Sequence, residues 1–290
     1  MWRLFKITDV SIIQFILFTE SLKNLNFFSN RLYSLMLSDY RSDKWYTIFS
    51  EILLKTLRSA YLSASAVDFI SCSIEALSPN ILIQKEERIQ ILENLWKVFQ
   101  SVPPVSQQQL VPEIKSKWES TLNALKSPVP VDLDKIHDVI DCKITFNKAQ
   151  IKCDDPYELY LFIRSNTDVP LKIKKFSIVL WDTNSLFKLF AKDAGEYTKR
   201  WETLRPMRQE LLLEPSKCYK IVFEGDKTQF AENIELQIVK VELEMGSDRV
   251  FALMTQSTSL NKTKPFKDNF LQKDCMELIP VISSLYVTPT

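Results

Sequence analysis

Glycine is nearly missing from this chain: of 290 residues, only Gly195, Gly225 and Gly246 are glycine. Loops that cradle phosphate need clustered glycines so that backbone N–H groups can approach an anion closely. Three glycines this far apart exclude a P-loop, a dinucleotide fingerprint and a Gly-x-Ser-x-Gly nucleophile elbow. Histidine is scarcer still, with His137 alone, although histidine is the usual general base near neutral pH and the commonest zinc ligand. His137 sits among Asp132, Asp134, Asp138 and Asp141, which invites a metal-site reading. No second nitrogen or sulfur ligand accompanies it, and acidic residues on a linker are normally solvated. No serine, cysteine or lysine has a recognisable base beside it. The expectation is a chain that is not an enzyme, with no metal, no cofactor and no small-molecule substrate.

An excess of charge is missing too. The 37 basic and 36 acidic side chains leave a net charge of +1, so there is no broad basic face to hold a nucleic acid. Long apolar runs are absent: Ile12 to Phe18 falls well short of the roughly 20 residues that a bilayer requires, and with Asp9 before it and no small-residue cleavage site after it, it reads as a buried helix. Five widely spaced cysteines, Cys72, Cys142, Cys153, Cys218 and Cys275, include no Cys-x-x-Cys pair. An odd, scattered set favours reduced thiols in the cytosol. Cys142 and Cys153 could face each other across adjacent strands, and two half-buried apolar thiols are the alternative. The sequon Asn261-Lys262-Thr263 matters only in a secreted chain.

What the chain does contain changes character along its length. Roughly two domains are expected of this length, and all three glycines lie in the later part. In the first part, Trp45, Ile48, Phe49, Ile52, Leu53, Leu57, Ala60 and Tyr61 recur at three- and four-residue steps behind Ser42 and Asp43 as candidate caps, the pattern of an amphipathic helix. Val67, Ile70, Ile74 and Leu77 predict a second helix, stopped at Ser78-Pro79 because the residue before proline disfavours helix. Ile89, Leu92, Leu95, Trp96 and Phe99 predict a third, ended by Pro103-Pro104, and Ile114, Trp118, Leu122 and Leu125 a fourth. Leu22, Leu25, Leu32, Leu35 and Met36 allow one or two more upstream. Successive helix pairs with one apolar face each build an α-solenoid.

Ser127-Pro128-Val129-Pro130-Val131-Asp132 reads as an extended linker. Beyond it the period becomes two. Cys142, Ile144 and Phe146, then Leu159, Leu161 and Ile163, then Ile173, Phe176, Ile178 and Leu180 mark strands. Leu211 to Leu213, a turn at Glu214 to Lys217, and Tyr219 to Phe223 suggest a hairpin. A clearer one runs from Ile234, Leu236, Ile238, Val241, Leu243 and Met245 through Gly246-Ser247-Asp248 to Val250–Leu253. Ser185 to Leu204 fits no strand well and reads as a long loop or short helix over a sheet edge. The expected fold class is α+β multidomain: helical α-solenoid-like hairpins over 1–126, a linker over 127–136, and an immunoglobulin-like antiparallel β-sandwich over 137–256. A polar tail over 257–290 would hold the start of a further strand domain.

Specific residues then carry a family likeness. Tyr40-Arg41-Ser42-Asp43-Lys44-Trp45-Tyr46-Thr47, continuing through Ile52-Leu53, Leu57, Tyr61-Leu62, Asp68-Phe69-Ile70 and Ser73-Ile74-Glu75-Ala76-Leu77, resembles the end of the foie gras helical region of the trafficking protein particle complex (TRAPP) subunit-eleven family. The likeness resumes at Lys117-Trp118 and at Asp141-Cys142-Lys143-Ile144-Thr145-Phe146. It then runs from Tyr157 to Arg164 and through Pro170-Leu171-Lys172-Ile173-Lys174-Lys175-Phe176, where the family begins a β-sandwich. The resemblance covers about Leu37 to Thr255.

That resemblance implies a scaffold subunit of a vesicle-tethering complex in ER-to-Golgi traffic and autophagy, in which the small core subunits activate a Rab GTPase. Implied partners are other TRAPP subunits and, indirectly, the Rab GTPase; the implied location is cytoplasmic, peripheral to the ER-Golgi intermediate compartment and cis-Golgi. No catalytic residue carries over. Relative to the family the chain begins inside the solenoid and stops where a further sandwich would start, as expected of a short isoform, a partial gene model or a fragment. Candidate interaction residues are Tyr46, whose face on its helix the pattern leaves open, and Lys172, Lys174 and Lys175, which alternate with apolar residues. Those lysines suit either a solvated strand face or contact with anionic lipid, as in a peripheral lipid-binding adaptor module.

Overall fold

The computed structural model describes residues 33, 35–41, 45–105, 112–125, 127–152, 155–182, 186–197, 204–207, 210–225, 235–257, 282 and 284–288. The caps Ser42 and Asp43, the apolar run from Ile12, Leu22, Leu25, Leu32, Ile234, Cys153, Cys275 and the Asn261 sequon lie outside them. Two compact units emerge, one from the start of the chain to Val129 with Asp248–Val250, the other from Pro130 to Ser247 and from Phe251 onward.

In the first unit, residues 35–41 are helical and four helices follow: α1 (Tyr46–Ser63), α2 (Ala66–Ala76), α3 (Lys85–Phe99) and α4 (Pro112–Ala124). Helix α1 packs on α2, α2 on α3, and α4 returns to both α1 and α2. The apolar stripe of α1 accounts for this, since Phe49, Ile52 and Leu53 are buried with Tyr33, Leu37, Tyr40, Cys72, Ala76 and Ile91 in one cluster. Trp118 seats α4: its ring meets Phe69 edge-on at 5.3 Å and its indole N–H donates to the Tyr61 carbonyl at 2.9 Å, so a large buried aromatic also satisfies its polar edge. Scarce glycine has a visible consequence. Helices commonly end on a left-handed residue, usually glycine, yet here α1 ends on Ala64 (φ 53°) and Ser101 (φ 61°) takes that role after α3.

Among the described residues the second unit holds thirteen strands: β1 (Val129–Asp132), β2 (Ile140–Phe146), β3 (Gln150–Lys152), β4 (Tyr157–Ser165), β5 (Leu171–Ile173), β6 (Lys175–Trp181), β7 (Leu186–Glu196), β8 (Arg205–Pro206), β9 (Leu211–Leu213), β10 (Cys218–Gly225), β11 (Glu235–Gly246), β12 (Phe251–Ser257) and β13 (Ser284–Thr288). Their order is β1-β12-β11-β6-β7-β10-β4-β2. Strand β7 joins two sheets: its first half pairs with β6 and its second with β10. A strand that changes sheet makes the corner of a sandwich. Ile144, Phe146, Leu159, Leu161, Ile163, Ile221 and Phe223 from one sheet and Phe176, Ile178, Leu180, Val241, Leu243, Met245 and Met254 from the other are buried core residues.

Four sequence expectations change. The segment expected to be a linker contains β1: Val129 and Val131 are buried while Pro130 faces out, and an edge strand tolerates a residue that lacks an N–H. Within Ser185 to Leu204, expected to be a long loop or short helix, Leu186–Glu196 forms β7, disguised because Leu186 and Phe190 on its outer face are as apolar as Phe187 and Leu189 beneath. The expected hairpin across Glu214 to Lys217 does not form. Strand β9 pairs with β5 and β10 with β4, because the turn that Lys217 N–H closes onto the Glu214 carbonyl at 3.3 Å sends the chain from one ladder to another. The end of the chain contributes β13 to the same sandwich, antiparallel to β11 and parallel to β3, instead of opening a new domain. The hairpin of β11 and β12 forms as expected.

Candidate interaction surfaces

His137, expected on a solvated linker, is buried, close to the stretch in which Leu133 N–H bonds the Thr255 carbonyl at 2.8 Å. Among the described residues no three His, Cys, Asp or Glu side chains converge as metal ligands. Cys72, Cys142 and Cys218 form no disulfide. Burial pushes the Cys72 thiol well up, helped by the negative charges of Glu75 and Asp68, and burial does the same for Cys142, with Asp141 adding to it. Neutral buried thiols are poor nucleophiles.

Tyr46 opens α1 and is half-buried, and its carbonyl accepts the Ser50 hydroxyl at 2.5 Å. The three lysines differ in their partners. Lys172 stands on β5 and forms an ion pair with Glu210. Lys174 lies between β5 and β6, its N–H bonded to the Glu244 carbonyl at 2.7 Å, and Lys175 reaches the Glu244 carboxylate at 3.4 Å. Acidic partners thus accompany Lys172 and Lys175.

Two concave sites stand out among the described residues. One lies in the helical unit, floored by Leu54, Leu57, Tyr61, Phe69 and Ile91 and rimmed by Arg58, Glu87 and Asn94. The other lies at one end of the sandwich, where Asn147, Lys148, Glu158 and Glu224 surround Tyr157.

A third surface escaped sequence reading. On the outer face of β6 and β7, Trp181, Leu186 and Phe190 are large apolar side chains that remain exposed. Its signal was present in the order Leu186, Lys188, Phe190, Lys192, a strict alternation that becomes visible only once β7 is taken as a strand. Beneath this face lies Glu242. Burial of its carboxylate opposes ionisation, but the ammonium groups of Lys188 and Lys240 outweigh that effect and hold its pKa below the ordinary carboxylate value.

The family model described as the TRAPPC11 first Ig-like domain matches residues 130–276, starting at the residue where the second unit starts. The chain is 22% identical over 237 residues to trafficking protein particle complex subunit 11 of Homo sapiens, covering 80% of this chain and 20% of that protein. The corresponding protein of Bos taurus is 23% identical over 237 residues, with the same coverage. That of Gallus gallus is 22% identical over 223 residues, covering 75% of this chain and 20% of its own length. The chain therefore spans about a fifth of the length of the relatives it matches.

Proposed function

Because this chain belongs to the family of the TRAPPC11 first Ig-like domain, we propose that it works as a non-catalytic scaffold within a trafficking protein particle complex, the assembly for which its relatives are named. The observation that carries this reading is similarity that crosses both units. A match over 237 residues is longer than the chain from Pro130 onward, so it extends into the helices. In this reading the helical unit closes an α-solenoid, α4 covering the face on which another repeat would stack. The sandwich presents sheet surfaces and sheet edges, where a partner strand can be added. Tyr46 borders contacts with other subunits. The scaffold supports Rab GTPase activation by the core subunits, in ER-to-Golgi traffic and autophagy, from the cytoplasmic side of the ER-Golgi intermediate compartment and cis-Golgi.

The test is affinity purification of the tagged full chain from cells that express it. Recovery of other TRAPP subunits in repeatable proportion is the expected result. Consistent recovery of none overturns the reading.

A further inference from the structure

Among the described residues, β6 and β7 leave a cluster of apolar side chains unburied. Trp181 is 41% exposed, Leu186 64% and Phe190 60%. Strand register gathers them: Trp181 lies opposite Leu186, Val179 opposite Lys188 and Ser177 opposite Phe190. On the other side of β6, Lys240 lies opposite Val179, Glu242 opposite Ser177 and Glu244 opposite Lys175. All of these share the face turned away from core residues Phe176, Ile178 and Leu180, because side chains alternate along a strand. From Leu186 to Phe190 the apolar row runs about 13 Å.

The charges on this face are stacked by depth. Lys188 and Lys240 both reach Glu242, whose side chain is only 5% exposed, the Lys240 contact being 2.9 Å. Lys175 reaches Glu244, also well covered. The two carboxylates lie low while three ammonium groups stand nearer solvent, so the outward field is positive. Lys192 forms an ion pair with Glu224, which is about as open as Lys192 itself, and so adds no net charge.

We propose that this face docks on an anionic lipid surface, with Trp181, Leu186 and Phe190 entering the interfacial layer and Lys175, Lys188 and Lys240 meeting the headgroups. Three features favour a lipid surface over a protein neighbour. The side chains project from a sheet face and line no groove that would hold a helix. Tryptophan suits the boundary between headgroups and acyl chains, and lysine stems lie along apolar surface while their heads reach outward. The positive outward field matches an anionic leaflet. The contact is small, and a single weak anchor binds reversibly, as suits one contact among several in a larger assembly. Of the lysine run read from sequence, only Lys175 takes part.

The test uses the full chain and flotation with vesicles of phosphatidylcholine, with and without phosphatidylserine. Binding is expected only with phosphatidylserine, and Leu186→Ser with Phe190→Ser weakens it about tenfold or more, with circular dichroism confirming an unchanged fold. On the otherwise unaltered chain, brominated phospholipid quenches tryptophan emission, and Trp181→Phe removes that quenching. Failure to bind phosphatidylserine vesicles, or binding that survives the paired serine substitutions, overturns the proposal and assigns the face to a protein neighbour. Recovery of TRAPP subunits by affinity purification does not depend on either result.

Discussion

Arg41 grips Glu75 with two parallel bonds, Nε to Oε1 at 2.8 Å and an Nη to Oε2 at 2.7 Å, while its guanidinium stacks 5.6 Å from the centre of the Phe49 ring. The pair is 34 residues apart in sequence and ties the helical stretch before α1 to α2. It also joins the two ends of the stretch that carries the family likeness in the helical unit, Tyr40-Arg41 and Glu75-Ala76. Planar two-point geometry of this kind needs arginine in particular.

Glu75 is 3% exposed, so removing its partner strands a buried carboxylate, and removing Glu75 strands a guanidinium packed on an aromatic ring. Breaking one side of such a pair costs about 3 kcal/mol. Glu75→Ala is expected to lower helical-unit stability by about that much in chemical denaturation followed by circular dichroism, and Arg41→Lys to recover only part of it. Replacing both residues with apolar side chains of similar volume should cost far less than either single change. A double-variant loss equal to the sum of the two single losses would show that the pair itself matters little.

The pH dependence of the sandwich should trace to Glu242. Its pKa is held below the ordinary value in the fold, and a carboxylate with a lower folded than unfolded pKa stabilises the native state fully above its unfolded value of about 4.3. That contribution drains away as pH falls through the folded value. Glu242→Gln is expected to reduce stability at neutral pH and to flatten the loss on acidification, measured as thermal midpoint against pH. A variant whose acid profile runs parallel to that of the parent chain would assign the sensitivity elsewhere.

The helices were legible because each carries a three- and four-residue apolar rhythm with a physical stop, as with Leu77 before Ser78-Pro79. Between Ile238 and Val241 the apolar period slips by one residue, and the structure has a β-bulge there: Ile238 pairs with Leu180 and Lys240 with Val179, leaving Val239 unmatched. Pairing between distant segments was not legible. Nothing local to Leu211–Leu213 says that its partner is Leu171–Ile173, and Val129–Asp132 becomes a strand only because β12 offers an edge. The candidate lysines stand out by spacing alone, whereas their acidic partners arrive from elsewhere in the chain, Glu210 from just before β9 and Glu244 from β11. The Trp181, Leu186 and Phe190 face stayed hidden for a related reason: exposed apolar residues on an outer face look like core until the strand's inner face is known.

Gly225 is the one glycine whose role is fixed by a neighbour's close approach. It lies opposite Tyr157 in the pairing of β10 with β4, and a Cβ placed on it would sit 1.9 Å from Cζ of that ring. Tyr157 is buried, so the ring has little room to swing aside, and overpacking of a filled site typically costs about 1–3 kcal/mol. Gly225→Ala is expected to destabilise the sandwich by roughly that amount in denaturant titration. Tyr157→Ala removes the ring and is itself destabilising, but it leaves space for the new methyl group. The double variant should therefore be markedly more stable than the sum of the two losses predicts, a coupling of about 1 kcal/mol or more. Strict additivity would mean that the cost of Gly225→Ala comes from the backbone and not from the ring.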